Sequence, residues 1–202
     1  MIKKLVWFLI LVLTIIWFFF YGGKKMFLQF FYPVQYEEYV EKYAKEYDLD
    51  KYLIYAVIHT ESKFDEKAVS DAGAIGLMQL MEDTASDYNN KGKFGYIIPE
   101  QLLEPDVNIR LGCYYLSELM QRFKKRELAI MAYNAGPGNV EEWLLNDMFS
   151  DGEGGLNSTP FKETNDYVDK VLKSYKRYKE IYWKDVRYGF NLFKKEWIWG
   201  HW

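Results

Sequence analysis

Residues 59–80 read HTESKFDEKAVSDAGAIGLMQL, and the carboxylate near their start governs how the whole chain is read. The apolar run Leu53-Ile54-Tyr55-Ala56-Val57-Ile58 leads almost directly into Glu61. Glu61 lies seven residues after Ile54 and four and three after Val57 and Ile58. On a helix it therefore continues their apolar stripe and points into an interior or a cleft. Apolar surroundings disfavour an ionised carboxylate and raise its pKa. The last turn of a helix acts in the same direction, because the negative end of the dipole repels the charge. A carboxyl kept protonated near neutral pH can act as a general acid, the arrangement glycosidases use. The stripe alone leaves open a solvated terminal Glu, or one paired with Lys63 or Lys67.

The residues after Glu61 narrow the choice. Gly73 and Gly76 permit backbone conformations or close approaches that a Cβ would block, so this loop can bring main-chain groups up to a ligand. Ser70, Gln79 and Asn134 offer neutral hydrogen bonds suited to hydroxyl and amide groups, and Tyr133 adds an aromatic face with a hydroxyl. Singly, each also has a structural reading, with Met78 as core filler, Gly73 as a turn residue and Tyr133 as helix packing.

Further out, the periodicity is helical. Tyr36, Val40, Tyr43 and Tyr47 recur at spacings of three and four, Asp50 is a natural N-cap for a helix reaching about Ser62, and another helix is expected over Leu77 to Tyr88. Longer helices are expected over Asp106 to Phe123 and Lys162 to Lys184, with shorter ones over Arg126 to Asn134 and Asn139 to Asn146. Residues 150–159 are rich in Gly, Ser and Asp and read as an exposed loop. No alternating strand pattern is evident. The expected fold class is mostly α, in one domain.

The N-terminus is different in kind. Residues 5–23, LVWFLILVLTIIWFFFYGG, carry no charge and lie between Lys3-Lys4 and Lys24-Lys25. A run of this length is expected to form an N-terminal transmembrane helix, with Trp17 to Tyr21 at the membrane–water interface. No small-residue cleavage pattern precedes Gly22-Gly23, which favours an anchor over a removed signal peptide. The expected organisation is an anchor over 1–25, a juxtamembrane stalk over 26–35, a helical domain over 36–182, the stretch that carries the family resemblance described next, and an aromatic, basic tail over 183–202. Residues 26–202 hold 22 basic and 29 acidic side chains, which argues against nucleic acid as a partner. Cys113, the only cysteine, sits among apolar residues and reads as a buried structural thiol. The two histidines, His59 and His201, are far apart in sequence and suggest no metal site. His59 itself reads as a packed helix residue.

Taken together, the motifs resemble those of soluble lytic transglycosylase catalytic domains. ES at 61–62, AVS at 68–70, GAIGLMQL at 73–80 and TA at 84–85 are similar to that family's signature, followed in order by NIRLGCYYL at 108–116, AYNAGPGNV at 132–140 and TPFKETNDYVDKVLKSYKRY at 159–178. The chain departs from the pattern at Asp65-Glu66, where Asn-Pro is common, and at Glu82, where Pro usually stands. The resemblance implies a lysozyme-like helical fold and cleavage of the β-1,4 bond between N-acetylmuramic acid and N-acetylglucosamine in peptidoglycan, leaving 1,6-anhydromuramic ends. It implies Glu61 as the single catalytic acid and base, with no cofactor and no metal. Ser70, Met78, Gln79, Tyr133, Asn134, Glu163 and Tyr167 would bind the glycan strand, Glu163 and Tyr167 mainly as cleft support. Because that substrate lies outside the membrane, the resemblance places the Lys3-Lys4 end in the cytoplasm and residues 26–202 outside it. A hydrolytic muramidase of goose-type lysozyme character and a non-catalytic wall-binding scaffold are the alternatives, and any envelope assembly partner is left open.

Overall fold

The computed structural model describes residues 2–18, 23–90 and 94–196. It divides into two compact units, a larger one of residues 35–176 and a smaller one of residues 1–34 and 177–202.

In the larger unit, helix α4 (Lys51–Glu61) is the centre of the core. Every side chain from Tyr52 to Ile58 is buried, as expected of a helix that is apolar all round. Asp50 caps it, accepting from the Tyr52 N–H at 2.9 Å. Its other oxygen accepts from the Tyr175 hydroxyl at 2.7 Å. Helix α3 (Glu37–Glu46) packs on α4 and on α6 (Pro105–Phe123), and α6 packs on α7 (Arg126–Ala135). Helix α8 (Pro137–Leu144) packs on α7. Prolines begin both α6 and α8, where the missing N–H costs nothing. They set those helix starts one and two residues earlier than the periodicity predicts. The buried Tyr43 hydroxyl donates to Asp106 at 2.6 Å and ties α3 to the start of α6. Cys113 is fully buried in α6.

The expected helix over Leu77 to Tyr88 is shorter. Helix α5 covers Glu82–Asn90, and residues 77–81 belong instead to a loop with isolated antiparallel bridges, Val69 to Ile75 and Ile75 to Leu80. Gly76 and Gln79 take left-handed backbone angles, φ +77° and +48°, which no continuous helix tolerates. A third bridge joins Ser150 to Leu156 in the expected exposed loop. A 3-10 turn, Pro99–Leu103, precedes α6.

Helix α9 (Lys162–Glu196) begins in the larger unit and continues past the predicted end at Lys184. Of the tail, residues 197–202 lie outside the described residues.

The smaller unit contains α1 (Ile2–Trp17), α2 (Lys24–Phe31) and the part of α9 beyond residue 176. The Tyr178 hydroxyl donates to Pro33 O at 3.0 Å and the Tyr182 hydroxyl to Tyr32 O at 2.8 Å. The Tyr32 and Tyr178 rings meet edge to face, 5.6 Å between centroids. Helix α1 is 16 residues long, about 24 Å at 1.5 Å per residue, against a hydrocarbon thickness of about 30 Å. Among the described residues no helix is long and apolar enough to cross a membrane. The expected spanning segment runs on into residues 19–22, which lie outside the described residues.

Candidate active site

Glu61 closes α4, and its side chain is half-buried. The Tyr167 hydroxyl donates to its Oε1 at 2.6 Å, a contact between residues 106 positions apart. Burial pushes the Glu61 carboxyl up to about 7, against the smaller opposing effect of that hydrogen bond. Tyr167 and Tyr133 are both buried and both hold their protons more tightly than usual, first through burial and then through the nearby Glu61 charge. One carboxyl and two phenols therefore form the polar centre of an otherwise apolar site.

The loop after Glu61 is folded by its own short-range bonds. Ser62 Oγ donates to Leu77 O at 2.8 Å and holds the far limb of the loop against the end of α4. Ser70 Oγ accepts from the Ala74 N–H at 3.0 Å, so part of its hydrogen-bonding capacity shapes the turn at Gly73. Gln79 Nε2 donates to Gly76 O at 2.9 Å and to Ala68 O at 3.1 Å, clamping the two limbs. Met78 is fully buried: its carbonyl accepts from the Tyr133 hydroxyl at 2.8 Å, and its side chain fills the space left by Gly112, where a Cβ would collide with Sδ. Met78, expected among the glycan-binding residues, packs against α6 and fixes the loop from behind.

Asn134 and Glu163 are exposed, Asn134 beside Tyr133 near the end of α7 and Glu163 in the first turn of α9. Asn108 was the least legible of the important residues. Its side chain is fully buried, donates to Ile75 O at 2.9 Å and Leu102 O at 2.7 Å, and accepts from the Met78 N–H at 2.8 Å. The available signal was an Asn on the apolar face of α6, one turn before Gly112. The carboxylates close to Glu61 in sequence are otherwise engaged or exposed. Asp65 accepts from the Lys67 N–H, Glu66 from the Tyr36 hydroxyl at 2.9 Å, and Asp71, Glu82 and Asp83 face solvent. His59 packs edge-on to Phe64.

Residues 38–153 match the Transglycosylase SLT domain. The chain belongs to this family. The SLT chain is 37% identical to the soluble lytic murein transglycosylase of Escherichia coli K12 over 152 residues, 73% of this chain and 24% of that protein. Against membrane-bound lytic murein transglycosylase C of Edwardsiella ictaluri the identity is 32% over 169 residues, covering 73% and 47%. The 70-kDa soluble lytic transglycosylase of Escherichia coli superposes with a TM-score of 0.69 at 35% identity, over 76% of this chain and 25% of that one. A complex of the 70-kDa soluble lytic transglycosylase with bulgecin A has the same TM-score. The SLT chain thus spans about a quarter of its soluble relatives. Its fold is mostly helical and lysozyme-like.

The SLT fold also has a cleft of about 260 Å³ lined by Thr84, Tyr88, Tyr115, Glu118, Arg122 and Pro137 among others. Glu118 accepts from the Tyr88 hydroxyl at 2.7 Å and Arg122 pairs with Glu141 at 2.5 Å, so the lining is braced. The Tyr115 ring lies 5.3 Å from the Tyr133 ring, which connects this cleft to the loop next to Glu61.

Proposed function

We propose that this chain is a peptidoglycan lytic transglycosylase that cuts the β-1,4 bond between N-acetylmuramic acid and N-acetylglucosamine. The observation that carries the reading is Glu61, a single carboxyl held near pH 7 by burial, with Tyr167 as its hydrogen-bond donor. Among the described residues no second carboxylate contributes to the shift at Glu61. Glycosidases that use water or a covalent intermediate need a pair of carboxyl groups. An intramolecular attack needs one.

In the proposed reaction Glu61 gives its proton to the bridging oxygen O4 as the C1–O4 bond breaks. The muramyl C6 hydroxyl then forms the C1–O6 bond and returns its proton to the carboxylate, so no water is consumed and Glu61 ends as it began. Tyr167 stabilises the transient carboxylate, whose charge is otherwise disfavoured by burial. Ser70, Gln79, Tyr133 and Asn134 would line the glycan path with Met78 packed behind it, and the Tyr115 cleft would take further saccharide units. Glu163 would support the far side.

Mass spectrometry of digested peptidoglycan tests the reading. Fragments ending in 1,6-anhydromuramic acid, one water lighter than reducing ends, are expected, and Glu61→Gln should release none while keeping a native circular dichroism spectrum. Reducing ends would establish a hydrolytic muramidase instead, and no release by the native chain would leave a wall-binding scaffold.

The uncharged residues 5–23 are proposed as a single-pass anchor with residues 26–202 outside the cytoplasm, where peptidoglycan lies. The support is a 19-residue charge-free run, of which the described part is helical and exposes Leu5, Trp7, Phe8 and most of its other apolar side chains.

A further inference from the structure

Residues 24–34 are more than a tether between the proposed anchor and the rest of the chain. Helix α2 places Met26, Phe27, Phe30 and Phe31 on one face, exposed by 61%, 63%, 79% and 50%. At about 100° per residue these four positions span one continuous arc, with Gln29 on the far side. The face is ordered rather than frayed. Phe27 and Phe31 pack at 4.8 Å between centroids, and Phe30 and Phe31 at 5.4 Å. The chain just beyond is fixed by the hydroxyls of Tyr178 and Tyr182, which bond to Pro33 O and Tyr32 O.

A compact aromatic face of this kind in water needs a cover. Two observations favour lipid. Helix α1 in the same unit exposes apolar side chains along its length, so both helices present apolar side chains to their surroundings. Lys24 and Lys25 also open α2, and residues 24–34 contain no Asp or Glu, which complements an anionic headgroup layer. Lys179 and the half-exposed Trp183 form a cation–π pair in the same unit, one turn around the Tyr182 clasp, and an aromatic–basic pair of this type suits the headgroup level.

We infer that α2 is an interfacial helix that lies in the plane of an anionic bilayer, with Phe27, Phe30 and Phe31 inserted just below the headgroups and the Tyr32–Pro33 clasp holding it at that level. This rests on the anchored reading of residues 5–23 and adds to it a second, shallower membrane contact. Such helices bury their apolar face roughly 5–10 Å into the boundary layer.

The test uses the full chain with one environment-sensitive fluorophore on an introduced cysteine, since Cys113 is fully buried and should stay unlabelled in the native protein. Phe30→Cys, Gln29→Cys and Leu9→Cys are each reconstituted into vesicles of phosphatidylethanolamine and phosphatidylglycerol, with or without lipids carrying a nitroxide high on the acyl chain. The Phe30 probe should be blue-shifted and quenched by about twofold or more, with the Gln29 probe quenched much less, as an in-plane helix requires. Equal quenching at both positions would mean α2 is fully immersed, and overturns the proposal. A blue-shifted Phe30 probe that lipid nitroxides do not quench is covered by protein, a second copy or another partner, which also overturns it. Quenching at Leu9 with none at Phe30 defeats the interfacial helix and leaves the anchor standing. No quenching at Leu9 defeats the anchor itself.

Discussion

In the proposed reaction Glu61 and Tyr167 are an acid and a donor whose balance sets the working pH. The general acid must carry its proton when substrate binds, so kcat/KM should fall as pH rises through about 7. Tyr167→Phe removes the one hydrogen bond that opposes the rise, which should move that limb to higher pH. It should also lower kcat by about 10- to 100-fold, the worth of a hydrogen bond to a charged group. A limb that moves to lower pH, or stays in place, would contradict the role given to Tyr167. The same carboxyl has a thermodynamic signature. Its folded-state pKa lies above the ordinary value of 4.5, so the native protein keeps a proton that the unfolded chain releases between about pH 4.5 and 7. Stability from this group is complete below that window and is lost as pH rises through it. Glu61→Gln cannot ionise, so relative to the native chain it should gain about 1–3 kcal/mol of stability between pH 5 and 8. Thermal melts of both proteins at the two pH values measure that difference.

At the scale of elements, the loop between α4 and α5 is held from behind by one face of α6. Gly76 sits at φ +77°, and a Cβ there would collide with Asn108 Nδ2 and Leu102 O, neither of which can give way without losing a buried hydrogen bond. Gly73 has a similar φ of +86° and open space around it. Alanine at 76 should therefore cost about 3 kcal/mol or more, adding backbone strain to overpacking, and alanine at 73 only about 1–2 kcal/mol. Denaturant titration separates the two, and equal costs would mean that Asn108 can shift. This contrast also marks what was legible. Asp50 as a cap, the apolar stripe ending at Glu61 and the start of α9 follow from local chemistry, and the structure has them where periodicity puts them. The shortened α5 and the central role of Asn108 do not follow from local chemistry. The run Leu77-Met78-Gln79-Leu80 has helical spacing, yet Asn108, about 30 positions away, holds this loop through two bonds, accepting from the Met78 N–H and donating to Ile75 O. Windowed patterns carry no information about such partners. Met78 was readable both as core and as a contact for ligand, and the space it fills beside Gly112 is not visible in any local pattern.

For the whole molecule, the two units differ in how they treat apolar side chains. The larger one buries its apolar side chains, and the smaller one displays them along α1 and α2. The anchored reading predicts that the full chain stays with membranes after alkaline carbonate treatment, which strips proteins held by charge alone. Recovery in the supernatant would remove the anchor from the account. The charge-free run was plain in the sequence because hydropathy is a local property. The clasp of Tyr32 and Pro33 by Tyr178 and Tyr182 was not, since its partners are about 145 to 150 positions apart.

The bond between Tyr167 and Glu61 also orders events in time. The acid is made more than 100 residues before its donor, so a chain still emerging from the ribosome has for a time a carboxyl without its phenol. Closing so long a loop must wait for α9 to dock. Under the proposed function, an enzyme that cuts the wall protecting its own cell would thus acquire the donor for its acid only once α9 has been delivered and docked.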